Sequence, residues 1–127
     1  MNHAILLFYI ALGGALGACS RYLISELSII LLGRGFPYGT LTVNVVGSFI
    51  MGLLVAALEQ EAFASGPWRH LIGFGFLGAL TTFSTFSMDN VLLLQQGEWL
   101  KMGLNIVLNV VVCIAAAWAG FQLLMRA

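Results

Sequence analysis

The chain has 127 residues, 61% of them apolar and 8% charged, and its formal net charge is zero. Soluble domains carry about a quarter charged residues, so this composition excludes an ordinary soluble fold and specifies a membrane protein. No nucleic-acid partner is expected.

Four apolar runs follow one another at residues 4–32, 40–58, 70–94 and 102–125. Each is close to or above the ~20 residues that a helix needs to cross ~30 Å of hydrocarbon. The expected fold is therefore all-α, a single domain of four transmembrane helices over residues 1–127. The separators "GRGFPYG", "EQEAFASGPWRH" and "QQGEWLK" combine Gly, Pro and charge, which end helices and belong at the interface. Arg34, Trp68, Arg69, Trp99 and Lys101 stand where interfacial anchors are expected.

The first run contains "GGALG", whose Gly13 and Gly17 form a small-xxx-small pair suited to close helix packing. Nothing before Arg21 is basic, so a cleaved signal peptide is not expected, and "LGAC" lacks the basic lead-in of a lipoprotein site. In the second run Asn44, Ser48 and Gly52 recur at every fourth position and share one small, polar face.

The third run holds "GALTTFSTFS", residues 78–87, where six of ten residues are Gly, Thr or Ser. That composition predicts a break in mid-membrane, which lipid tolerates only if the freed backbone is buried in protein, faces water or binds an ion. Carbonyls released at Gly78 and Thr81 suit a hard cation such as sodium, and the amides and hydroxyls of the next turn suit an anion. Phe83 and Phe86, three apart, project from one side of the half-helix beyond the break. Such a pair ordinarily packs a core, but a phenyl edge carries positive potential and attracts a small, hard anion weakly.

In the fourth run Asn105, Asn109 and Cys113 form a second polar stripe. Carboxamides in a membrane serve either as glue between helices, worth about 0.6 to 2 kcal/mol per bond, or as the lining of an ion path. Two asparagines facing one way at helical spacing suggest the lining. Cys19 and Cys113 both fall inside predicted spans, which argues against a disulfide.

Basic residues of the connections and ends are balanced between the two sides, Arg69 and Arg126 against Arg34 and Lys101, and Arg21, inside the first run, tips the balance only if it snorkels to one side. A chain without bias can insert both ways, and four helices leave little interior for a pathway. A homo-oligomer is therefore expected, with an inverted pair among its forms.

"GALGACSRY", "TLTVNVVGSFIMG" and "GFLGALTTFSTFS", in this order, carry a further reading. With these motifs the chain resembles the Fluc (CrcB) fluoride channels, small prokaryotic membrane proteins that export fluoride as dual-topology homodimers. The resemblance implies a multi-pass protein of the inner membrane whose partners are fluoride, the lipid bilayer and a second, inverted copy of itself. It also implies that Phe83 and Phe86 line two antiparallel pores with their ring edges toward fluoride. Asn44 would donate its amide to the ion, and Ser84 and Thr85 would add hydroxyls. Asn105, Asn109 and Cys113 fall on a track where the family commonly has hydroxyl residues, and Asp89 stands where Glu is usual. A structural sodium on the dimer twofold, held by backbone carbonyls, maps to Gly78 and Thr81. Arg21 matches the basic residue of the first motif, with a vestibule or a structural role.

Two rivals stand beside this reading. A small multidrug-type exchanger needs a titratable carboxylate deep in the membrane, but Glu26 and Asp89 lie toward the ends of their spans. A non-conducting scaffold subunit leaves the polar stripes idle. No nucleotide motif, catalytic constellation or redox cofactor is present in the sequence, so neither an enzyme nor a pump is expected.

Overall fold

The computed structural model describes residues 2–61 and 66–127; residues 62–65, part of the second predicted connection, lie outside them. Helix α1 spans His3–Leu32, opened by the Asn2 side chain, which accepts from the Ile5 amide at 2.9 Å. It ends at Gly33, whose amide still bonds the Ile29 carbonyl and whose φ of 84° costs glycine no Cβ clash. Pro37 precedes helix α2, Tyr38–Glu59, where a missing amide hydrogen is harmless.

The third run forms two helices. The first, α3 (residues 69–80), begins as wide π turns over Arg69–Leu77 and closes with a single α turn, Gly78–Leu80. The second, α4, spans Phe83–Gln95. The last helix, α5, spans Trp99–Met125 and widens to π geometry at Leu108–Val112. Counting α3 and α4 as one stretch, four segments are long and apolar enough to cross a membrane, and no strand occurs among the described residues. These segments run up to three residues past the apolar runs, most at Trp99, because the polar flanks continue the helices into the interface.

Glycine sets the packing. A methyl group on Gly13 would run into the Leu71 carbonyl and one on Gly17 into the Phe76 carbonyl, so α1 and α3 lie backbone to backbone. Gly52 meets the Ala117 carbonyl and Gly120 the Phe49 carbonyl, which joins α2 to α5 in the same way. Without a hydrophobic drive between helices in lipid, this close approach supplies the van der Waals and weak polar contact that holds them.

Between these pairs Val43, Leu54, Leu77 and Leu80 form a compact buried cluster, flanked by Ile50, Met51, Ile72 and Phe76. Most large apolar side chains face outward instead: Ile30 is 78% exposed, Ile114 67% and Leu100 84%. Such a surface is stable only against hydrocarbon, and the protein is a multi-pass membrane protein.

Candidate functional site

Between Leu80 and Phe83 the chain leaves helical geometry. Thr81 has φ −81° and ψ 156° and Thr82 has φ −152° and ψ 122°, both extended. An interruption of this kind strands backbone donors and acceptors, and several of them find new partners here. The Thr81 amide bonds the Leu77 carbonyl at 3.1 Å, and the Thr81 hydroxyl donates to the same oxygen at 2.9 Å. Arg21 reaches from α1 to donate its Nε to the Ala79 carbonyl at 3.0 Å. The Thr82 hydroxyl caps α4 by accepting from the Thr85 amide at 3.1 Å.

Asn44, on α2, clamps the second extended residue from both sides. Its Oδ1 accepts from the Thr82 amide at 2.8 Å, and its Nδ2 donates to the Thr82 carbonyl at 3.1 Å. The same Nδ2 donates to Asn109 Oδ1 at 2.9 Å, so both of its protons are engaged. The expectation for Asn44 is an amide offered to an anion. In this structure its donors are committed to the break and to α5.

The Gly78 and Thr81 carbonyls are among those that lose their helical partners through this arrangement. The Thr82 amide, which an unbroken helix would direct to Gly78, goes to Asn44, and the Thr85 amide, due to Thr81, goes to the Thr82 hydroxyl. Gly78 and Thr81 thus present hard oxygen atoms at an exposed and a half-buried residue, a donor set that fits a sodium ion.

A cleft of about 370 Å³ opens beside the break, lined by Asn44, Ser48, Thr81, Thr82, Phe83, Phe86, Asn109 and Cys113. The two phenylalanine rings lie 5.4 Å apart at 49°. They are not equivalent: Phe86 is 7% exposed and belongs to the wall, whereas Phe83 is 77% exposed and touches the cleft only at its rim. The Thr82 and Ser84 hydroxyls approach to 3.4 Å at the mouth of α4.

Not every residue of the predicted site gathers there. Thr85 and Asp89 line a second cleft of about 350 Å³ with Ser25, Ser28, Arg34, Tyr38, Thr40 and Gln96. In it Asp89 Oδ2 is buried and has no hydrogen-bond partner among the described residues. Asn105 is fully buried, and its amide faces α4 rather than the cleft, donating to Asn90 Oδ1 at 2.9 Å. Asn105 and Asn109, expected to line a path, are bonded to each other here, Asn109 Nδ2 donating to Asn105 Oδ1 at 2.9 Å. Asn90 was not among the predicted residues. Its hydrogen-bond partner stands fifteen positions away on another helix, which no local spacing reveals.

The family described as "CrcB-like protein, Camphor Resistance (CrcB)" matches residues 8–121. The chain belongs to the CrcB family. CrcB relatives named "Fluoride-specific ion channel FluC" include that of Vibrio campbellii, 75% identical over 126 residues and 99% of each chain. Those of Photobacterium profundum and Vibrio cholerae are each 66% identical over 126 residues, again 99% of both chains. The CrcB match spans the two glycine-packed helix pairs, the break and both clefts.

Proposed function

We propose that the protein is a fluoride-selective channel, through which fluoride leaves the cytoplasm passively and its toxicity is lowered. The observation that carries this reading is 75% identity, across 99% of both chains, to a protein named fluoride-specific ion channel FluC. The working form is an inverted homodimer in a prokaryotic inner membrane, with two antiparallel pores. Balanced basic residues and the exposed Phe83 ring support it, since an apolar ring beside a polar cleft finds cover in a second copy.

Fluoride gives up tightly held water only where other donors replace it, and conduction requires that no single one hold the ion. The mouth of α4 offers such a series. The positive end of a 13-residue helix and the first-turn amides point at the break, beside the Thr82 and Ser84 hydroxyls. The Phe83 edge adds a weak electrostatic contact without a competing negative charge. Asn44 acts by holding Thr82, and Thr85 and Asp89 line the approach on the far side of α4. Arg21 secures the Ala79 carbonyl and has a structural role. A sodium ion on the dimer twofold would be held by the Gly78 and Thr81 carbonyls. When bound, it supplies fixed positive charge and joins the two broken segments.

The test is efflux from liposomes holding purified protein and loaded with potassium fluoride or potassium chloride, with valinomycin to carry the countercharge. Fast fluoride release with negligible chloride release is the expected result. No fluoride release from folded protein overturns the reading.

A further inference from the structure

We propose that Asn90 is a positioning residue that fixes the rotation of α4, and with it the direction of Phe83 and Phe86, through a relay of four asparagines. This rests on the channel reading above for its functional consequence, but the relay itself stands on geometry.

The relay starts at the break. The Thr82 amide donates to Asn44 Oδ1 at 2.8 Å, and Asn44 Nδ2 donates to Asn109 Oδ1 at 2.9 Å. Asn109 Nδ2 donates to Asn105 Oδ1, and Asn105 Nδ2 to Asn90 Oδ1, both at 2.9 Å. Each carboxamide accepts through oxygen and donates through nitrogen, so the chain has one polarity. A backbone amide can only donate, so Thr82 fixes which face Asn44 turns toward it, and each asparagine then fixes the next. Asn90 is the terminal acceptor.

Both ends of the relay lie on α4 or its cap. Thr82 is the N-cap and Asn90 sits eight positions on, more than two turns along the helix. Between them the relay passes through α2 and α5, which are themselves joined at Gly52 and Gly120. A helix held at one point can still turn about its axis, but one held at two cannot. Asn90 follows Phe86 by four positions and Phe83 by seven, so it shares their face, and the rings are set by the same bond. Asn105 is fully buried, so its amide has no water to turn to if the Asn90 oxygen is removed.

The experiment combines fluoride efflux with side-chain amide NMR of protein labelled with ¹⁵N-asparagine. Asn90→Ala should lower fluoride efflux about ten-fold, the ratio that one orphaned buried donor corresponds to. It should also move the side-chain signals of Asn44 and Asn109, which Asn90 does not touch. Asn90→Asp keeps an accepting oxygen at the same reach and should leave those signals in place. Should Asn90→Ala fail to fold, Asn90→Leu, close to asparagine in volume and without an acceptor, gives the same reading. Unmoved Asn44 and Asn109 signals in the alanine variant overturn the relay, and moved signals with undiminished fluoride efflux overturn its positioning role. Wild-type protein that releases no fluoride overturns the channel reading alone, since the NMR arm still decides the relay.

Discussion

Two phenylalanines three positions apart differ here by an order of magnitude in exposure, 77% for Phe83 and 7% for Phe86. Spacing made them equals; burial separates them. Phe83→Ile should cut fluoride efflux sharply with little change in the thermal midpoint of the purified protein. Phe86→Ile should cut efflux and also cost about 1 kcal/mol of stability, because a wall residue changes shape. Equal midpoints for both variants would place the rings in equivalent settings. Asn44 behaves differently from either. Asn44→Asp turns an oxygen toward the Thr82 carbonyl and Asn109 Oδ1, so efflux should fall to near background. Stability should drop by roughly 1 to 3 kcal/mol, the cost of unmatched buried polar groups. Full efflux in that variant would separate conduction from the Asn44 clamp.

The elements obey a rule that runs opposite to soluble packing. Where α1 meets α3 and α2 meets α5, the contacts are glycine against carbonyl, and the large apolar side chains turn outward. Gly17→Val or Gly52→Val should therefore destabilise the protein by about 1 to 3 kcal/mol, because backbone rather than a yielding side chain blocks the added atoms. Thermal unfolding in detergent measures it, and Gly103→Ala, at a position with open space around it, is the control. The π turns of Arg69–Leu77 belong to the same design. A wider turn brings the Leu71 and Phe76 carbonyls onto the α1 glycines and delivers the chain to the break at Thr81.

At the scale of the whole molecule the balance of charge is the testable property. Arg69 and Arg126 oppose Arg34 and Lys101, so the charges of the connections and ends favour neither orientation. A variant with extra lysines in the first and third connections and one with extra lysines at the chain ends should each insert in a single orientation. Each alone should lose fluoride resistance in cells, and co-expression of the two should restore it. Activity from either variant alone would exclude the inverted pair as the working form.

Composition determined the membrane, because a chain with 8% charged residues has no water-compatible surface to show, and it determined four spans by length. The Gly and Thr content of residues 78–87 determined where the third span would yield, since that is a local property of backbone freedom. Spacing placed Asn44, Asn105 and Asn109 on their faces but not in their roles. What each carboxamide bonds depends on which helix stands opposite, and that is set by the glycine contacts between distant segments. Only the tertiary structure therefore decided that Asn44 holds Thr82, that Asn105 turns away from the cleft, and that Asn90 closes the relay. A carboxamide presents both a donor and an acceptor, and sequence alone does not say which partner each will find.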